Sequence, residues 1–321
     1  MNLVLLCPGQ GAQAVGMARA WAESSPAAKA VLDQADRIFA SGPDGRSLTD
    51  IAFHGPQEVL NRTDVSQPAL YAAGIASYHA LRESFGGATL RAVAGLSLGE
   101  YTALHLAGAF SFEDGLRLVM KRGALMQQAA ESSKGSMVAL IGADEAQANE
   151  VCARSIAAAG GCLVPANFNA PGQIVLSGSL EACDAALAVA GDVGVRATKL
   201  QVAGAFHSPL MQPAADAMGE VLASTSIGAL SAEAWSNVTA APHERNNPGL
   251  LRQRLVEQLV SPVRWSQSCS ALLAAMVADG TRGSAQFHEL APGSVLKGLM
   301  RRIDKTCEVL PHDAPQPAPA A

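Results

Sequence analysis

The stretch 92–104, AVAGLSLGEYTAL, decides how this chain folds. A short apolar run precedes Ser97, and an apolar, helix-forming run follows it. Gly95 and Gly99 frame the serine as G-x-S-x-G, which is the sequence of a tight turn from a buried strand into a helix. Such a turn presents the serine hydroxyl at the top of a sheet. The stretch therefore predicts an α/β fold and favours Ser97 as a nucleophile over an ordinary strand-to-helix turn.

The residues around this turn alternate between strand and helix patterns. Residues 2–7, NLVLLC, form a continuous apolar run, which is typical of a parallel strand buried on both faces. Helical periodicity follows the serine at 98–107 and returns at 112–130. Strands that alternate with helices indicate an α/β core with a largely parallel sheet.

The rhythm changes after residue 133. Between 136 and 202 the patterns read strand, helix, strand, strand, helix, strand, which is the ferredoxin-like order. We therefore predict a catalytic core made of 1–133 and 203–310, interrupted by a ferredoxin-like subdomain at 134–202. The Pro/Ala-rich end, 311–321, is predicted to be a disordered tail.

Composition excludes several classes of protein. The formal net charge is −5 and no dense Lys/Arg run occurs, so nucleic acid is not an expected partner. No apolar run approaches the ~20 residues of a membrane span. The first residues lack the basic segment and cleavage site of a signal peptide. The six cysteines form no CxxC pair, so we expect no metal site, reduced thiols and a cytoplasmic location.

A serine nucleophile needs a base, and seven histidines are candidates. His207, in GAFHSPLM, lies in a Gly- and Pro-flanked loop where the chain re-enters the predicted core. His105 lies further along the helix after Ser97, where a histidine on a helix face is expected. His207 is therefore the preferred base.

Several ordered motifs make the chain resemble the malonyl-CoA:acyl carrier protein transacylases, the acyltransferases of fatty acid synthesis. The resemblance runs from Leu3 to about Ile303. Its motifs, in chain order, are PGQGAQAVGM (8–17), TDVSQPAL (63–70), GLSLGEYTAL (95–104), MKRGALMQ (120–127), ANFNAPGQIVLSG (166–178), GAFHSPLM (204–211), EQLVSPVRW (257–265) and ELAPGSVLKGL (289–299). The resemblance implies an α/β-hydrolase-like parallel-sheet core with an inserted ferredoxin-like subdomain.

The resemblance also implies a role for each matching residue. Ser97 corresponds to the acylated serine and His207 to its base. Gln258 corresponds to a glutamine whose backbone carbonyl orients the histidine, which suffices to fix its tautomer. Gln13 and Leu98 correspond to residues whose backbone N–H groups form an oxyanion hole.

Other matching residues are implied to contact the acyl group. Arg122 corresponds to an arginine that binds the free carboxylate of malonyl, which a planar guanidinium can hold through two hydrogen bonds. Phe206 precedes the base, where a bulky ring accompanies malonyl over methylmalonyl preference in related acyltransferases. Asn167 and Asn169 line the thioester site or only form a turn. Leu96 replaces the histidine that commonly precedes the serine in the family.

The implied reaction is a ping-pong transfer of malonyl from malonyl-CoA to the phosphopantetheine thiol of an acyl carrier protein, through a malonyl-serine. It requires no bound cofactor or metal, and we expect a monomer. Three alternatives stay open at this point. They are a lipase or patatin-like hydrolase with Asp279 as base, a catalytically silent binding protein, and an acyltransferase that serves a polyketide synthase.

Overall fold

Two β-sheets organise the protein. The computed structural model describes residues 1–315, and within them lie nine strands and thirteen α-helices. The two sheets share no strand, and each has its own hydrophobic core.

The first sheet has five parallel strands in the order β7-β2-β1-β8-β9. The first strand lies at its centre, between the strand that leads to Ser97 and the strand near the C-terminus. The strands are β1 (Asn2–Cys7), β2 (Thr89–Gly95), β7 (Glu233–Trp235), β8 (Ala285–Glu289) and β9 (Val309–Pro311). The prediction of a parallel sheet is confirmed.

The continuous apolar run of β1 is explained by helices on both faces of the sheet. Leu3, Leu5 and Cys7 belong to one hydrophobic cluster, whereas Val4 and Leu6 belong to another. Successive strand residues point to opposite faces, so each face of β1 needs its own apolar set.

The helices of the core cover this sheet, and two of them position the site. Helix α6 starts directly after Ser97, and α7 starts where the Ser111 hydroxyl accepts a hydrogen bond from the Asp114 N–H at 3.0 Å. The core helices are α1 (Arg19–Ser24), α2 (Pro26–Phe39), α3 (Leu48–His54), α4 (Gln57–Leu60), α5 (Thr63–Leu81), α6 (Leu98–Leu106), α7 (Phe112–Ser132), α10 (Gln212–Ser224), α11 (Pro248–Glu257), α12 (Trp265–Ala278) and α13 (Val295–Ile303). No helix within residues 1–315 is both long enough and apolar enough to cross a membrane.

The second sheet is antiparallel, with strand order β4-β5-β3-β6. Its elements follow one another as strand, helix, strand, strand, helix, strand, as the sequence pattern predicts. They are β3 (Gly135–Ile141), α8 (Glu145–Ala159), β4 (Leu163–Ala170), β5 (Gln173–Ser179), α9 (Leu180–Asp192) and β6 (Arg196–Lys199). The α/β fold class with a ferredoxin-like insert is confirmed.

The predicted start of the disordered tail, at residue 311, is wrong. Pro311 pairs with Glu289 in the sheet, and His312 is buried with its Nε2 2.7 Å from Nδ1 of His288. Trp21 adds a hydrogen bond from its ring N–H to the His312 carbonyl, at 3.1 Å. These contacts tie 311 and 312 to the core, against the composition of the segment. Residues 316–321 of the predicted tail lie outside the described residues.

Candidate active site

Ser97 lies at a sharp turn between β2 and α6. Its φ of 54° and ψ of −106° are rare for a residue with a side chain. Asn237 holds the turn from below, because its Oδ1 accepts from the Ser97 N–H at 2.6 Å and its Nδ2 donates to the Gly95 carbonyl at 2.7 Å. A Cβ on Gly99 would lie only 2.0 Å from the Cys7 carbonyl oxygen, so the helix can start this close to β1 only with glycine there.

The loop after β1 approaches the same turn. A Cβ on Gly9 would lie 2.1 Å from the Leu96 carbonyl oxygen, so this contact also requires glycine. Gln13 stabilises the loop through its side chain, which accepts from the Gly11 N–H at 2.7 Å and donates to Asn61 at 2.9 Å. The loop therefore stands fixed beside the serine.

His207 lies within hydrogen-bond distance of Ser97. Its Nε2 is 2.8 Å from the Ser97 Oγ, and its Nδ1 is 2.7 Å from the backbone carbonyl oxygen of Gln258. A carbonyl only accepts, so Nδ1 bears the proton and Nε2 is left free to accept the serine proton. The structure thus brings Ser97 and Gln258, the two residues that the resemblance places around the base, into contact with His207.

The surroundings of His207 keep its imidazole neutral. Burial and the nearby charge of Arg122 lower the pKa of His207 to about 4, against the opposing effect of the hydrogen bond to Gln258. An imidazole with this pKa is unprotonated at pH 7, which is the form that a general base requires.

Arg122 projects from the middle of α7 to the same point. Its side chain is 1% exposed, and one terminal nitrogen lies 3.1 Å from the Ser97 Oγ. Two amide oxygens hold the guanidinium, that of Gln67 at 2.7 Å and that of Gln258 at 2.9 Å. Its Nε has no hydrogen-bond partner within residues 1–315. Burial lowers the pKa of Arg122 below its ordinary value, yet a guanidinium stays charged in proteins.

No carboxylate forms a salt bridge with Arg122 in the part of the chain that the structure describes. The guanidinium is hydrogen-bonded to neutral amides and a hydroxyl and lies 5.4 Å from the centre of the Tyr101 ring, so it retains its attraction for an anion. A ligand carboxylate near Ser97 would satisfy it through charge-assisted hydrogen bonds.

A cavity of about 890 Å³ opens above these side chains, between the two sheets. The core contributes the loop after β1, the nucleophile turn and α13, and the insert contributes β4, β5 and the segment after β6. Its lining includes Gln13, Leu96, Ser97, Arg122, Met126, Asn167, Asn169, Val175, Phe206, His207 and Leu299. A cavity of this size accommodates an acyl group together with part of a larger carrier.

The predicted pocket residues line this cavity. Phe206 is 6% exposed and directly precedes His207, whereas Leu96 is half-buried beside the serine. Asn167 and Asn169 reach the cavity from β4, and the Oδ1 of Asn169 is buried without a hydrogen-bond partner among the described residues.

The two predicted oxyanion donors differ in position. Gln13 lines the cavity, and Leu98 is the first residue of α6, with its side chain buried in the core. A backbone N–H in the first turn of a helix has no partner within that helix, and no acceptor for the N–H of Leu98 lies elsewhere in residues 1–315, so it can donate next to Ser97.

Four polar residues that we did not predict also belong to the site: Gln67, Glu100, Asn237 and His243. Gln67 and Glu100 lie inside two of the motifs, TDVSQPAL and GLSLGEYTAL, so their place in the sequence was a signal. Asn237 and His243 follow β7 in a loop with no motif, and only the fold brings them under the turn.

Asp279 and Cys7 are both unsuited to this chemistry. Asp279, the base of the hydrolase alternative, is bound to Arg91 at 2.8 Å and not to Ser97. Hydrogen bonds from Thr281 and Arg91 lower the pKa of Asp279 to about 2, which makes it a poor base. Cys7 is fully buried, and burial raises the pKa of its thiol, so it is not a competing nucleophile.

The comparisons with known proteins cover nearly the whole chain. The family model described as "Acyl transferase domain" matches residues 4–315. A malonyl CoA-acyl carrier protein transacylase of Bacillus subtilis (strain 168) is 37% identical over 316 residues, which is 98% of this chain and 94% of the relative.

Two solved structures extend the likeness to the fold. A malonyl CoA-acyl carrier protein transacylase from Coxiella burnetii has a TM-score of 0.88 at 36% identity, covering 98% of this chain and 94% of that one. A malonyl-transacylase solved with a type II polyketide synthase acyl-carrier protein has a TM-score of 0.89 at 33% identity, covering 98% and 97%. The chain therefore belongs to the acyl transferase domain family and, within it, to the malonyl-CoA:acyl carrier protein transacylases.

Proposed function

We propose that this protein transfers the malonyl group of malonyl-CoA to the phosphopantetheine thiol of an acyl carrier protein. One observation supports this function above all others. The Ser97 Oγ lies 2.8 Å from a neutral imidazole nitrogen of His207 and 3.1 Å from the guanidinium of Arg122. A nucleophile with its base and a cation beside it suits an acyl donor that ends in a carboxylate.

In the first half-reaction, Ser97 attacks the thioester carbonyl of malonyl-CoA. His207 takes the hydroxyl proton at Nε2 while the Gln258 carbonyl holds Nδ1–H. The tetrahedral intermediate collapses, the C–S bond breaks, and the proton passes from His207 to the departing CoA sulfur. A malonyl ester on Ser97 remains.

The oxygen of the thioester carbonyl becomes negative during this step. We propose that the backbone N–H groups of Gln13 and Leu98 donate hydrogen bonds to this oxyanion. Gln13 lies in the loop beside the serine, and Leu98 is the first residue of α6. Donors held in place before the reaction need no reorganisation and are worth roughly 2.7–4 kcal/mol each.

In the second half-reaction, the phosphopantetheine thiol of the carrier protein replaces CoA. His207 takes the thiol proton, the sulfur attacks the malonyl ester, and the proton returns to Ser97 as the ester C–O bond breaks. Both half-reactions use the same groups, and no step calls for a metal or a bound cofactor.

Two kinds of carrier protein are candidates for the acceptor of the malonyl group. The Bacillus subtilis relative is named for an acyl carrier protein, and one structural relative was solved with a carrier of a polyketide synthase. We propose the carrier of fatty acid synthesis, with the polyketide carrier as the second candidate. Comparison of the two carriers as acceptors tests this choice. The monomeric state and the cytoplasmic location stay predictions from sequence.

Ser97→Ala tests the nucleophile. With malonyl-CoA and no acceptor, the wild-type protein should gain the mass of one malonyl group, on the peptide that contains Ser97. Ser97→Ala should gain none, while Ser133→Ala should label like wild type, because its hydroxyl only donates to the Ala129 carbonyl. Peptide mass spectrometry reads the site, and a label on Cys7 would contradict the assignment.

Arg122→Ala tests the carboxylate partner. Loss of one member of a buried ion pair costs ~3–5 kcal/mol, so kcat/KM for malonyl-CoA should fall roughly 10²–10³-fold or more. Acetyl-CoA has no carboxylate and should lose far less. Arg117→Ala, on the exposed face of the same helix where Arg117 pairs with Glu113, should leave both rates unchanged. Equal losses on both substrates would make Arg122 a structural residue.

Phe206→Ser tests whether the Phe206 ring next to His207 excludes an α-methyl group. An α-methyl group on the acyl chain must displace the Phe206 ring or shift the thioester. We therefore expect the wild-type protein to prefer malonyl-CoA over methylmalonyl-CoA by at least ~10-fold, within the ~1–3 kcal/mol typical of one methyl group. The variant should narrow the gap mainly by admitting methylmalonyl. The two thioesters are mixed with the protein together, and mass spectrometry measures how much of each acyl-enzyme forms. Comparable labelling of the wild-type protein by both thioesters would refute the role of Phe206.

A further inference from the structure

Glu100 is a buried carboxylate beneath the nucleophile turn, and the proposed reaction gives it no task. It is 1% exposed and lies in the first turn of α6. One oxygen accepts from the Nε2 of His243 at 2.7 Å. The other accepts from the Asn237 backbone N–H at 3.1 Å and from the Gln258 side-chain amide at 2.6 Å.

The Gln258 side chain stands between this carboxylate and Arg122. Its Nε2 donates to Glu100 at 2.6 Å and to the Ser97 carbonyl at 3.0 Å, and its Oε1 accepts from Arg122 at 2.9 Å. Both amide hydrogens and the amide oxygen are therefore used. A carboxylate only accepts and a guanidinium only donates, so the orientation of the amide is fixed from both sides.

The Gln258 amide thus lies between a buried carboxylate and a buried guanidinium and bonds both of them. If Glu100 bonded Arg122 directly, the guanidinium would already be neutralised, and a substrate carboxylate would have to displace an internal one. The intervening amide presents only an oxygen dipole to Arg122 and leaves its charge for the ligand. Gln67 holds the other terminal nitrogen in the same way, at 2.7 Å.

We infer that the Gln258 side chain, held by Glu100, is a positioning element that aims Arg122 at the acyl carboxylate and so sets acyl selectivity. The inference rests on the proposed function. It is separate from the orientation of His207, because that contact uses the backbone carbonyl of Gln258 and not its side chain.

Gln258→Met separates the two contributions of this residue. Methionine has a similar length and retains the backbone carbonyl for His207, but it bonds neither Arg122 nor Glu100. We expect kcat/KM for malonyl-CoA to fall roughly 10-fold or more, as for loss of a hydrogen bond to a charged group. The value for acetyl-CoA should fall less than ~3-fold, so the malonyl-to-acetyl ratio drops.

Glu100→Gln provides a second variant of nearly unchanged shape. A neutral oxygen at residue 100 holds the Gln258 amide less firmly than a carboxylate, because charge-assisted hydrogen bonds are roughly twice as strong. The malonyl-to-acetyl ratio of kcat/KM should therefore also fall, by a smaller factor than in Gln258→Met. Glu289→Gln is the matched control, since Glu289 is equally buried but bonds the backbone of Leu296 and Lys297 instead. Its ratio should equal that of wild type.

The outcomes distinguish this inference from the proposed function. If wild type is not acylated by malonyl-CoA, the proposed function itself fails. If wild type is acylated and Gln258→Met and Glu100→Gln both keep its malonyl-to-acetyl ratio, only the positioning inference is overturned. Equal losses on both substrates in Gln258→Met would also overturn it, because that pattern reports a general structural role.

Discussion

The strained backbone of Ser97 is the constraint on which the site depends. A non-glycine residue at φ 54° and ψ −106° costs of order 1–3 kcal/mol, and the surrounding structure must hold it there. Asn237 does so with two hydrogen bonds, and the close contact of Gly99 with the end of β1 fixes the start of α6. The result is a hydroxyl that points into the cavity between the two sheets, with a free helix N–H beside it.

Beside this turn, Arg122 is buried with no carboxylate bonded to it within residues 1–315, and the proposed chemistry depends on its charge. Burial, aided by the nearby charge of Arg122, lowers the pKa of His207 to about 4, and the base is therefore neutral at physiological pH. The charge of Arg122 remains available to a ligand, since its hydrogen-bond partners within residues 1–315 are all neutral: the amide oxygens of Gln67 and Gln258 and the serine hydroxyl. One residue thus connects the protonation state of the base with the choice of acyl group.

The features that depend on local sequence or on a motif were predicted from the sequence. The features that depend on contacts between distant segments were not. The G-x-S-x-G turn, the buried strand β1 and the ferredoxin-like order follow from periodicity and glycine placement, which are local properties. His207 could be chosen because it lies in a Gly- and Pro-flanked loop where the chain re-enters the core, and not on a helix face. Asn237 and His243 could not, because their role depends on β7 lying next to β2. The tail was misjudged at 311 for the same reason, since its order comes from tertiary contacts with β8 and not from composition.

Transfer of the malonyl group from the loaded enzyme tests the central claim most directly. The protein is incubated with malonyl-CoA, freed of CoA, and mixed with a carrier protein bearing phosphopantetheine, and both proteins are followed by intact mass spectrometry. The account predicts that the malonyl mass leaves the enzyme and appears on the carrier thiol, faster than free malonate forms. Release of malonate at the same rate with and without the carrier would identify a hydrolase and contradict the account.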